Sequence, residues 1–230
     1  MATQYAFGKI VTDGLMSALD ATDRNSYVSG STIWNDISGN GNSATLTNTT
    51  FDTTYGGGIV FGQNKYGTHN ITSAPYAGNF TWNCVFKHTN QYNFTGWDFL
   101  YTINAYSSGL TFATHVSKPR INYGTWFTDA ITTTSSPTLT LNDYYMLTYG
   151  RSGNTMFCYL NGLPYGTWLT TSATPTIATP FIGTTPSANR SGDYWIGIIN
   201  IIQVYNRALS QSEILQNYNS VKTKFNLLQI

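Results

Sequence analysis

The chain is predicted to be all-β: a two-sheet antiparallel sandwich with one short C-terminal helix. Three observations carry that prediction. Hydroxyl and amide residues crowd the sequence, with 36 Thr, 19 Ser and 22 Asn among 230 residues, while aromatics reach 15% and charged residues only 9%. Average domains carry about 25% charge, and this composition suits pleated strands and turns. Apolar residues recur with period two in short runs bounded by Gly, Asn and Ser, at the spacing of a sandwich. One stretch alone, near the end, switches to helical spacing.

Residues 1–12 are a polar and aromatic lead-in, read as an N-terminal arm to a partner or as an extra strand. Residues 15–19 form the first strand, and 20–31 a loop. Trp34 opens a segment that ends in Asn40-Gly41, a turn signal because both residues accept positive φ. Asp36 is expected to tie that turn by accepting backbone N–H bonds. The run Gly56-Gly57-Gly58 precedes the strand 59–61. No Gly-Lys-Ser/Thr and no helix follow it, so it reads as a flexible turn and not a phosphate loop. Phe80, Trp82, Cys84 and Phe86 alternate with Thr81, Asn83, Val85 and Lys87, a strand with its apolar side inward and Trp82 in the core.

Further strands are expected over 99–104, 109–115, 120–123, 144–150 and 156–160. Asn161-Gly162 is a hairpin signal, with 163–170 returning. The Thr/Ser-rich residues 128–140 read as loop or edge. Residues 181–183 precede a last strand over 194–205, rich in Ile, Val, Tyr and Trp. Ser210 with Glu213 is a capping box, and Leu209 with Ile214 a hydrophobic staple. Ile214, Leu215, Tyr218 and Val221 then mark a helix over 210–222.

The same stretch carries a family resemblance. YNRALSQSEI, from Tyr205, resembles the closing signature of the laminin-G-like, concanavalin A-like lectin/glucanase jelly rolls. The continuation ILQNYNSVKTKF resembles the form found in virion proteins of tailed bacteriophages. GLMSALDATDRNSY from Gly14, WNDISGNGNSATLTN from Trp34 and GGIVF from Gly57 resemble that group's opening strands and turn. The resemblance implies a jelly-roll domain over 13–224, with an arm at 1–12 and a tail at 225–230. It implies a non-enzymatic virion structural or decoration protein with a lectin-like domain, located in the virion. Its expected partners are other virion proteins, host or environmental glycans, and further copies of itself. A free-standing carbohydrate-binding lectin and a glycoside hydrolase of the same fold are the rival readings.

The hydrolase reading is the weaker. Retaining glycosidases need two carboxylates about 5–5.5 Å apart. The sequence has one Glu, Glu213, which the capping box accounts for, and none of its nine Asp pairs with another at i+2 or i+4 on a strand. There is no Gly-x-Ser-x-Gly elbow, and His69, His88 and His115 stand alone, each read as a loop or strand-face residue. No metal and no cofactor is expected. His and Cys lack ligand spacing, and the acidic positions of the related calcium sites read Asn200, Ile201 and FGQNKYG here. The net charge of +1, without a basic cluster, argues against nucleic acid or anionic membrane as partner. No apolar stretch reaches the roughly 18 residues of a membrane span, and no signal peptide is read at the N-terminus. Cys84 and Cys158 are read as buried free thiols.

What remains is recognition by aromatic faces and amides, which needs no charge. Trp97, Trp126, Tyr165 and Trp168 lie in or beside predicted turns and are the candidate ligand-binding residues.

Overall fold

Two antiparallel sheets organise the computed structural model, which describes residues 9–71, 74–89, 97–103, 109–115, 118–124, 139–169, 178–185 and 194–227. The first sheet holds β1 (Leu15–Asp20), β4 (Thr50–Asp52), β5 (Gly58–Phe61), β7 (Phe80–His88), β11 (Tyr144–Ser152), β12 (Thr155–Leu160), β13 (Leu163–Leu169) and β15 (Gly197–Tyr205). Its order is β13-β12-β11-β7-β15-β5-β4, with β1 also paired to β15. The second holds β2 (Ile33–Trp34), β3 (Ala44–Thr47), β6 (Tyr66–His69), β8 (Trp97–Ile103), β9 (Gly109–His115), β10 (Lys118–Gly124) and β14 (Pro180–Ile182). Its order is β10-β9-β8-β14-β6-β3-β2. Consecutive strands often lie far apart, as in a jelly roll, and the predicted two-sheet sandwich with one C-terminal helix is what forms.

Aromatics fill the space between the sheets. Trp82 of β7 stacks on Phe112 of β9 with ring centroids 4.6 Å apart, and Phe112 stacks on Tyr149 of β11 at 5.1 Å. Trp34, Trp82 and Trp195 are fully buried. Each such ring contributes about 1.5–3 kcal/mol on burial. Cys84 and Cys158 are free and buried, and burial pushes both thiols up. They lie on β7 and β12, which flank β11 on opposite sides.

The alternation of β7 holds only in part. Its apolar side does face the core, but Thr81, Asn83 and Val85 on the other side are buried too. The helix α1 (Gln211–Val221) and the C-terminal residues bring a second apolar layer onto that outer face, where Val85, Met146, Ile201, Tyr218, Val221 and Phe225 cluster. Thr81 and Asn83 beneath it both find partners. Thr81 Oγ1 donates to the Arg207 carbonyl and accepts from Leu209 N, both at 2.9 Å. Asn83 donates to Gln203 Oε1 and accepts from Thr148 Oγ1.

The described parts of both chain ends also pack on this face. Ile10, Val11, Phe225 and Leu227 are buried. Val11 N donates to Asn217 Oδ1 of α1 at 2.8 Å, and the Tyr205 hydroxyl donates to the Val11 carbonyl at 3.0 Å. Residues 9–12 and 225–227 therefore belong to the domain and do not reach away as an arm and a tail. Residues 1–8 and 228–230 lie outside the described residues.

Candidate functional site

A cleft of about 440 Å³ opens at the edge of the sandwich, where the chain crosses from β3 in one sheet to β4 in the other. The crossing is tight, and Asn48 makes it with a left-handed backbone (φ 55°) that Asn tolerates better than most residues. Its side-chain amide donates to the Asn64 carbonyl at 3.2 Å, which fixes the turn. The facing wall is the loop after β1. Gly30 turns it at φ 88°, and the Tyr27 hydroxyl donates to the Ser31 carbonyl at 3.1 Å.

The floor is aromatic and the rim is hydroxylic. The rings of Tyr27 and Phe51 lie 5.3 Å apart, Leu46 lies beside them, and Ser31, Thr32 and Thr50 line the walls. No charged side chain lines this cleft among the described residues, although Lys65 Nζ reaches Thr50 Oγ1 from outside at 3.3 Å. Burial holds the Tyr27 phenol above its ordinary pKa, so it stays neutral. Such a wall can exchange hydrogen bonds with hydroxyl groups and pack against C–H faces. It offers no general acid or base.

Of the four candidates from the sequence, the one whose side chain is described, Tyr165, does not line this cleft. Tyr165 is 9% exposed and belongs to the core between the sheets. The register of β12 against β13 passes from Tyr159 opposite Pro164 to Cys158 opposite Gly166, so Tyr165 is the extra residue of a β-bulge. A bulge re-aims a side chain, and it turns Tyr165, expected beside the Asn161-Gly162 turn as a ligand-binding candidate, into the core. Trp97 begins β8 opposite His115, and Trp168 lies in β13 opposite Met156. Their side chains, and the whole of Trp126, lie outside the described residues. The signal for the cleft was present in the sequence as Asn48-Thr49-Thr50-Phe51, a left-handed-tolerant residue followed by hydroxyls and an aromatic.

Asp36, His69 and Glu213 serve the fold. Asp36 accepts from the backbone N–H groups of Ala18, Ser38 and Asn42 at 2.8–2.9 Å, as expected. His69 ends β6 and His88 ends β7, so both are strand residues as expected, and both are buried in the interior. His69 Nδ1 lies 2.8 Å from the Tyr101 hydroxyl, and Nε2 lies 2.9 Å from the Asn42 carbonyl. The network assigns the proton to Nε2. Burial lowers the His69 pKa to about 4. His88 stacks on Trp195 at 4.4 Å and lies 3.5 Å from Asp98 Oδ2.

Glu213 accepts from Ser210 N at 2.8 Å and binds Arg207 through both oxygens, at 3.0 and 2.6 Å. The positions of the related calcium sites do not fit a cation. Asn200 turns its amide N–H to the Gly57 carbonyl at 2.7 Å, and Ile201 lies in the apolar layer. Among the described residues no three His, Cys, Asp or Glu side chains form a metal-binding group.

The sequence profile of the concanavalin A-like lectin/glucanases superfamily, in its laminin-G form, matches residues 61–215. The chain belongs to this superfamily. No curated protein matches the chain. Among solved structures, a sialidase from Trypanosoma rangeli in complex with 2,3-difluorosialic acid superposes with a TM-score of 0.68 at 16% identity, over 94% of this chain and 34% of that one. Domain 4 of AbnA, a GH43 extracellular arabinanase from Geobacillus stearothermophilus in complex with arabinotriose, gives 0.68 at 11% identity, over 89% and 98%. The binding domain of botulinum neurotoxin serotype D gives 0.68 at 14%, over 90% and 52%. At these identities the likeness is one of fold. The lectin/glucanase chain described here spans about a third of the sialidase's length.

Proposed function

We propose that the chain is a non-enzymatic, lectin-like decoration module of a tailed-phage virion, and that it holds a neutral glycan in the edge cleft. The observation that carries the glycan part is the cleft's lining: two neighbouring aromatic rings, five serine and threonine hydroxyls and one amide, with no charged group among the described residues. Sugars present C–H faces and hydroxyls, so this lining matches them without desolvating an ion. The superfamily, and neighbours of the same fold solved with sugar-derived ligands, support the reading by analogy alone. The resemblance of ILQNYNSVKTKF to virion proteins supports the virion part. The engagement of the sole glutamate by Arg207 and Ser210 supports a non-enzymatic role.

A glycan array with purified protein tests the glycan part. Neutral glycans should bind, and Asn48→Gly should weaken them at least about tenfold, because glycine accepts the left-handed backbone while the amide that braces the cleft wall against the Asn64 carbonyl is lost. Binding that survives Asn48→Gly unchanged would remove the edge cleft from the proposal. Mass spectrometry of purified particles tests incorporation. A reducing-sugar assay should register no release.

A further inference from the structure

A second cleft, of about 280 Å³, lies on the helix-bearing side of the first sheet. Three turns meet there. The first holds Tyr55 between β4 and β5, the second holds Asn142 and Asp143 before β11, and the third holds Asn226 after α1. Each turn places a left-handed residue at the cleft: Tyr55 at φ 53°, Asn142 at φ 70° and Asn226 at φ 50°. Asn adopts that conformation readily, but a bulky aromatic seldom does. Tyr55 is 46% exposed. It stands edge-on to Tyr144, with centroids 5.2 Å apart at 79°, and Tyr144 in turn packs on buried Phe225 at 5.6 Å.

The polar groups are of three kinds. Lys87 Nζ lies over the Tyr144 ring, 5.0 Å from its centroid. Asp143 supplies a carboxylate, and Asn142 and Asn226 supply amides. The backbone beneath is fixed: Asn142 N donates to the His88 carbonyl at 2.8 Å, and Leu227 N to the Lys222 carbonyl at 2.9 Å. Burial, and then the Asp52 carboxylate, push the Tyr144 phenol up to about 12, so it stays neutral.

We infer that this cleft is a second saccharide site, taking one terminal neutral pyranose with its C–H face on Tyr55 and vicinal hydroxyls between the Asp143 carboxylate and the Asn142 and Asn226 amides. A pair of adjacent hydroxyls donates and accepts together, which is what a carboxylate beside an amide requires. An exposed tyrosine held by a second ring is a preorganised platform of low side-chain entropy. An acidic sugar would meet Asp143, with Asp52 near Lys87, so the single ammonium is offset. The volume admits one sugar ring, not a chain. The inference does not rest on the edge cleft.

Amide-resolved NMR titration with the methyl α-pyranosides of glucose, galactose and mannose tests it, with methyl β-glucuronide as the acidic comparison. At least one neutral glycoside should shift the amides of Tyr55, Asp143 and Asn226. Tyr55→Gly should weaken that glycoside by about tenfold while the melting temperature holds or rises, since glycine accepts φ 53° without strain. Should Tyr55→Gly lower the melting temperature, Asp143→Asn decides. It must weaken the glycoside without altering the fold. Asn48→Gly in the edge cleft should leave these shifts unchanged. The inference is overturned if no neutral glycoside moves these amides, if the glucuronide binds more tightly, or if Asp143→Asn binds as well as the native protein.

Discussion

Glu213 illustrates how much one residue can hold when its sequence has no second copy. From spacing alone it is half of a capping box, and Glu213→Gln would then cost less than Ser210→Ala, because glutamine can still reach back to the Ser210 N–H. The structure adds Arg207, held by both Glu213 oxygens and by Asp13 at 2.8 Å. Arg207 first, then the Ser210 N–H, holds the Glu213 carboxyl down to about 2. The expected order is therefore reversed. Ser210→Ala should cost about 0.5–2 kcal/mol, and Glu213→Gln at least as much, as chemical denaturation at pH 7 would measure. A depressed carboxyl contributes stability that is complete above its unfolded pKa, near 4.5, and is lost as pH falls toward about 2. The difference between native and Glu213→Gln proteins should shrink over that interval. A difference that is constant with pH would mean the charge does not matter.

At the scale of elements, His69 joins the sheets. It lies on β6 of one sheet, and its ring reaches Ser17 on β1 of the other at 3.0 Å. Tyr101 on β8 and, through it, Tyr76 complete the chain of hydroxyls. The groups that face the ring are these hydroxyls, the Asn42 carbonyl and, electrostatically, Asp36. A buried histidine with its pKa lowered to about 4 is neutral when folded, whereas the unfolded chain takes up a proton near 6.5. Stability is thus complete above about pH 6.5 and declines as pH falls to about 4. The loss should be on the order of 3 kcal/mol. Calorimetry across that interval should record the decline, and His69→Gln should flatten it. The edge of the sandwich follows different rules. β3, β4 and β6 read ATLT, TFD and YGTH and went unpredicted, since they are only three or four residues long and carry few apolar side chains, even where β3 alternates Ala44 and Leu46 with threonine. Their partners define them: β3 pairs β6, and β4 pairs β5.

At the scale of the molecule, the two ends of the chain meet the same face of the first sheet. Removal of residues 1–11 would delete two buried aliphatic side chains and the contacts of Val11 with Asn217 and Tyr205. It should cost about 3–5 kcal/mol and lower the melting temperature, contrary to the behaviour of a free arm. An unchanged melting temperature would restore the arm. A chelator, by contrast, should leave the melting temperature unchanged. The Asn200 amide and the Ile201 side chain occupy the positions where the superfamily's calcium sites carry carboxylates, and a calcium-dependent rise would contradict that reading.

The sequence by itself determined the sandwich, the helix and its cap, the core position of Trp82, the turn tied by Asp36 and the lack of paired glutamates. Each of these follows from local chemistry: period-two apolarity, Ser-x-x-Glu spacing, or the mere count of a residue type. Tertiary structure alone decided the rest. Nothing local says that Thr81 and Asn83 are covered, because the cover is a helix more than a hundred residues away. Nothing local turns Tyr165 inward, because a bulge is a mismatch between two strands. The edge cleft is assembled from Tyr27 and Phe51, whose rings meet because β1 and β5 flank one side of β15 and bring the loop after β1 beside β4, the partner of β5. A binding surface made at a crossing between sheets has no period in the sequence, since its residues share a place and not a spacing.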